Sequence, residues 1–295
     1  MHPTLERLLT DKPVIIDGAW GTQFQLLGLG SGESPDLWNL SHPDRVLKVA
    51  KGYVDAGSQV IISNTFGSNR YTLQKAGGDP DQVFELNKAG AAISRQACEG
   101  TDCLVFASMG PSGEILMMGQ VTEDDLFEAF KVQAEGLAAG GADGIVIETM
   151  SCPIEASAAV RAAKTTGLPV VASMTFDSGK NKDRTMMGAT PEKAAKALLA
   201  AGADILGSNC GKGIEGFIPV CQRLHDASGL PVWIKANRGL PEIVDGVATY
   251  SQTPEQFASF APALVAAGAG FLGGCCGTDP SVIAALVEWK RGSRQ

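Results

Sequence analysis

One arrangement of polar and apolar positions keeps returning along the chain. A helix-compatible stretch ends in a small residue and glycine, and a short uninterrupted apolar run follows. The unit reads DAGSQVIIS, AAGGADGIVIE, AAGADILGS and AAGAGFLGG. Glycine just past a helix suits a left-handed C-cap, because it has no Cβ to penalise positive φ. The run after it does not alternate, as befits a strand covered on both faces. Runs of this kind predict strands at Val14–Ile16, Val60–Ser63, Leu104–Ala107, Gly144–Ile147, Pro169–Met174, Asp204–Gly207, Pro231–Ala236 and Gly270–Gly273.

Helical segments lie between most of these strands. In TEDDLFEAFKVQAEGLAAGG, Thr122 followed by Asp125 reads as an N-terminal cap. TPEKAAKALLAAGA and TPEQFASFAPALVAAGA share one design: Thr as N-cap, Pro at the first helical position, Glu in the first turn. Pro262 inside the second should kink or split that helix. Eight strands with intervening helices predict an α/β fold, a single (β/α)₈ TIM barrel spanning 1–295 as one domain. The alternative is an open doubly wound sheet, but no G-x-G-x-x-G opens a helix after the first strand.

The composition narrows the partners. Hydrophobic residues make up 44% of 295 and charged residues 19%, enough for a large core. A net charge of -8 repels phosphate backbones, which argues against nucleic acid. No long uncharged apolar run points to a membrane span, and the acidic residues in MHPTLERLLTDKP argue against a signal peptide. The expectation is a cytoplasmic protein. Its seven cysteines are then thiols or metal ligands rather than disulfides.

Barrel chemistry sits where strands end. The predicted ends carry Asp17-Gly18, Asn64-Thr65-Phe66, Glu148-Thr149, Asn209-Cys210, Asn237-Arg238 and Cys275-Cys276. Three thiolates, Cys210, Cys275 and Cys276, can bind Zn²⁺ and leave one tetrahedral position open, the arrangement of catalytic zinc. Adjacent cysteines rarely pair as a disulfide, because the small ring strains the peptide bond between them. The alternative is three small buried hydrophobes that happen to be cysteine; three at strand ends, two of them adjacent, favour metal. Gly273, Gly274 and Gly277 would let the backbone turn both sulfurs toward one ion. Asp17 and Glu148 would face the same bowl and suit an ammonium group, although a carboxylate at a strand end also serves as a helix cap. Trp20, beside Asp17, belongs near the bowl. No histidine ends a strand, which disfavours a histidine base or ligand.

VIIDGAWGTQFQ, ISNTFGSNRY, GIVIETM, GSNCG and GGCCGTDP together resemble the homocysteine S-methyltransferase family. Within it they are most similar to the homocysteine-binding barrel of the cobalamin-dependent methionine synthases. The resemblance runs over nearly the whole chain. It implies zinc on Cys210, Cys275 and Cys276, and methyl transfer to the thiol of homocysteine to form methionine. It also implies that Asp17 and Glu148 hold the ammonium group and that the backbone N–H groups of Gly18 and Ala19 receive the carboxylate. Asn64, Phe66 and Asn237 complete the expected substrate-binding set. A coordinated thiol loses its proton outright, so no protein base is expected.

Two features depart from that pattern. Arg238 stands in ANRGLP where the family commonly has a small residue. It would either overhang the bowl or pair with a loop acid such as Glu242 or Asp245. No D-x-H-x-x-G corrinoid motif is present, so a methylcorrinoid such as methylcobalamin would arrive on another protein. Sulfonium or betaine donors are the enzymatic alternative, and a zinc or thiol sensor without turnover is the non-enzymatic one.

Overall fold

Each apolar run is buried on both faces, against the barrel interior on one side and helices on the other, which is why none of them alternates. The computed structural model describes residues 1–239, 242–244 and 247–293. Its eight parallel strands are β1 (Val14–Ile15), β2 (Val60–Ile61), β3 (Leu104–Met109), β4 (Gly144–Met150), β5 (Val170–Met174), β6 (Ile205–Gly213), β7 (Val232–Asn237) and β8 (Ala269–Gly274). Their order is β1-β8-β7-β6-β5-β4-β3-β2. The two ends of that order meet: Ile16 bridges Val60 in parallel, and the Gln59 N–H donates to the Ile15 carbonyl at 2.7 Å. The sheet is therefore a ring with helices between its strands, a (β/α)₈ barrel.

The helix ends follow the sequence. Thr122 and Asp125 form a reciprocal capping box. Thr190 and Thr253 cap helices that carry Pro in the first turn. Near Pro262 the last predicted helix splits into Pro254–Ala258 and Ala261–Ala266. The glycines closing the repeated unit, Gly57, Gly141, Gly202 and Gly268, all have φ between 86° and 101°.

Strand lengths differ at two places that matter. β2 stops at Ile61, short of the expected Ser63, because the Ile62 N–H goes to the Asp17 carboxylate at 2.8 Å instead of to a neighbouring strand. β6 continues from the expected Gly207 to Gly213, so Cys210 lies inside the strand, where the register with β7 shifts between Asn209 and Gly213. Inside the ring, Trp233 of β7 stacks on Phe106 of β3 at 5.9 Å and lies tilted against Phe271 of β8 at 5.2 Å. β3 and β7 are not neighbours, so these rings fill the barrel interior beneath the strand ends. After β7, Glu242–Val244 and Val247–Thr249 pair as a small antiparallel hairpin. Among the described residues, no helix is long and apolar enough to cross a membrane.

Candidate metal and substrate site

Cys210, Cys275 and Cys276 converge at the C-terminal rim, their sulfurs all within 4.8 Å of one another. Cys210 and Cys276 are 3.8 Å apart. The pair after β8 is clamped by backbone: the Cys275 N–H donates to Ala236 at 2.7 Å, and the Arg238 N–H donates to Cys276 at 3.0 Å. Thr278, fully buried, donates its hydroxyl to the Cys275 carbonyl at 2.7 Å and accepts the Ala19 N–H at 3.1 Å. The flanking glycines serve close approach as much as turning. A Cβ on Gly273 would come 2.6 Å from the Asp17 carbonyl, and one on Gly274 would run into Thr278.

Cys210 is held differently. Its φ is 61°, a region costly for any residue with a Cβ. Neighbouring Asn209 fixes the turn: its Oδ1 accepts from Thr149 N at 2.8 Å and Ser173 Oγ at 2.6 Å, and its Nδ2 donates to Thr149 Oγ1 at 2.7 Å. Three sulfurs this close share their protons unequally. Hydrogen bonds from Cys275 and Cys276 push the Cys210 thiol far down, with help from the Asn237 side chain. The same bonds push Cys275 well up, and Cys276 rises to about 11 chiefly through its bond to Cys210.

Beside the sulfurs lies a cavity of about 320 Å³, whose walls include Gly18, Ala19, Asn64, Phe66, Glu148 and Lys235. Glu148 is buried and accepts the Ser108 hydroxyl at 2.5 Å. Burial raises its pKa; Lys235 and the Ser108 bond work against that rise. Asp17 is fully buried and does not line the cavity. Its Oδ1 pairs with Lys235 Nζ at 2.5 Å, and its Oδ2 accepts Trp20 Nε1 at 2.7 Å and Ile62 N at 2.8 Å. Asn237 also lies off the cavity wall, with its Oδ1 buried and unpartnered. Asn64 turns its amide to Pro35 O and Asn39 Oδ1, and Phe66 stands half-open at the rim.

Lys235, absent from the sequence-based set, is the largest addition. It is 2% exposed, and although burial disfavours its charge, Asp17 and Glu148 outweigh that and raise its pKa. Its signal is plain in VWIKAN: a lone cation inside a strand covered on both faces needs a buried counter-charge. Arg238 does not reach the bowl. Its Nη1 pairs with Asp279 at 2.9 Å and its Nε donates to Gln252 O at 2.7 Å. The side chain of Glu242 and all of Asp245 lie outside the described residues. The remaining cysteines stay apart: Cys98, Cys103 and Cys221 are buried thiols, and Cys152 precedes the helix Pro153–Lys164.

The chain has relatives among known proteins. The methionine synthase of Mycobacterium tuberculosis is 29% identical over 98% of this chain, and that of Mycobacterium leprae is 28% identical over 93%. The chain spans about a quarter of those proteins, 26% and 24% of their lengths. The metallated form of the homocysteine methyltransferase MmuM from Escherichia coli superposes with a TM-score of 0.80 at 25% identity, covering 96% of this chain and 98% of that one. The family model for homocysteine S-methyltransferase matches residues 14–289. That match takes in every barrel strand and all three clustered cysteines, and the chain belongs to the homocysteine S-methyltransferase family.

Proposed function

We propose that this barrel transfers a methyl group to the thiol of homocysteine, forming methionine, with zinc held by Cys210, Cys275 and Cys276. The observation that carries the reading is the trio of sulfurs within 4.8 Å beside a cavity that also presents Glu148. The donor set fits the ion: three soft thiolates suit Zn²⁺, and three protein ligands leave a position for a substrate sulfur. Bound zinc supplies the Lewis acidity that keeps a coordinated thiol deprotonated near neutral pH.

The chain's own residues do the rest. Glu148 receives the substrate ammonium, with Ser108 fixing the carboxylate's orientation. Asp17 acts through its partners, holding Lys235 and Trp20 in place. Trp20, Phe24 and Phe66 wall the cavity with apolar surface and reduce water at the sulfur. The sulfur lone pair forms the new S–CH₃ bond, the donor keeps the electrons of the bond it loses, and the thiol proton passes to solvent.

For the donor we propose a methylcorrinoid carried on another protein. In its favour, a second hollow of about 700 Å³ adjoins the bowl at Thr149, with Ile115, Leu116, Met117, Met186 and Met187 in its walls. A broad, methionine-rich surface adapts to the face of a large macrocycle better than to a small sulfonium. The test is methionine formation by the zinc-loaded protein with methylcobalamin, S-methylmethionine and betaine in parallel. Turnover with methylcobalamin is expected. Turnover with another donor alone would replace the corrinoid reading, and failure with all three would remove the support for methyl transfer.

A further inference from the structure

We propose that the hollow at the N-terminal end of the strands, across the barrel from the cysteines, binds a small organic dianion: a phosphate or dicarboxylate head group carried on an apolar body. The proposal is independent of the methyl-transfer reading.

The hollow has a volume of about 800 Å³ and lies where the strands begin, for Gln59 directly precedes β2 and Leu104 opens β3. Arg7, Arg95 and Arg291 line it. They come from the last turns of the helices Pro3–Leu9, Val83–Ala97 and Pro280–Gly292, which are far apart in sequence. Two acids share the wall, Asp11 and Asp102. The Asp11 carboxylate already meets Lys290 Nζ at 3.0 Å and Gln59 Nε2 at 3.1 Å. Asp102 is exposed. Arg95 is held at 2.6 Å by Asp143, which also takes the Val105 N–H at 2.9 Å. A guanidinium has five donors, so an arginine fixed through Nη1 keeps others for a ligand. Among the described residues, Arg7 and Arg291 have no ion-pair partner, and both are exposed. Two uncommitted guanidinium groups beside a fixed third suit a head group that accepts several hydrogen bonds at once.

Ser58 is an independent sign. It lies on the same wall, is 5% exposed, and its hydroxyl has no hydrogen-bond partner among the described residues. A buried hydroxyl left unpaired costs free energy that an acceptor on a ligand would recover. Leu8, Val54 and Leu104 supply apolar surface in the same hollow, which is why the head group is read as part of a larger molecule. Gln59 lines the hollow and ties β1 to β2 through both polar groups of Ile15, so a ligand there would rest against the seam where the ring closes.

The competing explanation is that the three arginines only complement the negative ends of their helices. Calorimetric titration of the purified, zinc-loaded protein at fixed ionic strength separates the two, with phenyl phosphate, phthalate and neutral benzyl alcohol as probes. Saturable binding is expected for at least one of the two anions and not for benzyl alcohol. Arg7→Gln and Arg291→Gln, changes at exposed positions, should each weaken that binding at least about tenfold, as expected for loss of a charge-assisted hydrogen bond. Tighter binding of phenyl phosphate would support a phosphorylated ligand, and tighter binding of phthalate a dicarboxylic acid. Anion binding that both variants keep at wild-type strength would place the anion elsewhere and overturn the assignment. Absence of saturable binding by either anion, or equal binding of benzyl alcohol, would overturn it too and leave the arginines as helix-end charges.

Discussion

Thr149 and Cys210 share a left-handed backbone, with φ of 62° and 61°, and the side chain of Asn209 joins the strands that carry them. Each conformation costs on the order of 1–2 kcal/mol for a residue with a Cβ. Two side by side at the rim are tolerated because Asn209 bonds the N–H and the hydroxyl of Thr149 and also takes Ser173 Oγ. The reward is direction: the β6 strand turns enough for Cys210 to meet two sulfurs that come from the end of β8.

Asn209→Ala tests that link. It strips three hydrogen bonds and leaves the Thr149 N–H without its partner. A loss of about 2–4 kcal/mol in denaturant unfolding is expected, together with faster loss of zinc to a chelator. A variant with wild-type zinc retention would show that Cys210 holds its direction without Asn209.

Replacing Cys210, Cys275 or Cys276 singly with alanine should abolish stoichiometric zinc binding and methyl transfer while leaving far-ultraviolet circular dichroism unchanged. The barrel has a large core of its own and does not fold around the ion. Metal analysis on the three purified variants checks this, and full zinc content in all of them would remove the assignment.

Arg238→Ala should lower the unfolding midpoint and spare catalysis. The side chain links the loop after β7 to Gln252 and to Asp279, the N-cap of the final helix. Loss of this partly buried pair is expected to cost about 1 kcal/mol, with kcat/KM within about threefold of wild type. A tenfold or greater fall in kcat/KM with an unchanged midpoint would place Arg238 in the reaction after all.

Glu148 gives a pH dependence whose sign is fixed. Burial raises its pKa above the usual 4.5, against the pull of Lys235 and Ser108 and with added push from Asp17 and Cys210. The ionised form that receives an ammonium is therefore lost, on acidification, at a higher pH than for an exposed glutamate. Homocysteine affinity should fall through that window while 4-mercaptobutyrate affinity does not, with zinc content followed in the same samples. For folding, a raised acid pKa means that the native state pays for the charge at neutral pH and recovers stability as pH drops through the folded pKa. Glu148→Gln should accordingly unfold no more easily than wild type at pH 7, yet bind homocysteine poorly.

The barrel was legible because its strands are covered on both faces, so DILGS and GFLGG are continuous apolar runs preceded by capping glycines. The cysteines were legible because a barrel gathers strand ends whatever their separation along the chain. What escaped depends on partners that local pattern does not name. Lys235 finds its counter-charge 218 positions away at Asp17. Asn209 looks like an ordinary strand-end residue until Thr149, 60 positions earlier, is brought against it. Among the described residues, the acid that meets the Arg238 guanidinium is Asp279, 41 positions on.

Asp17 does one more thing by taking the Ile62 N–H. The contact between β1 and β2 is the thinnest join of the ring, a single bridge at Ile16 and Val60 with the bond from Gln59 beside it. The carboxylate stands in for the next rung of that ladder. The residue that steadies Lys235 and Trp20 beside the cavity is thus also a clasp that keeps the cylinder shut. Amide exchange at Ile62 should report on it, quickening when Asp17 is replaced. Any Asp17 variant will then blur two losses, so activity measured on it speaks for chemistry only after closure of the seam has been accounted for.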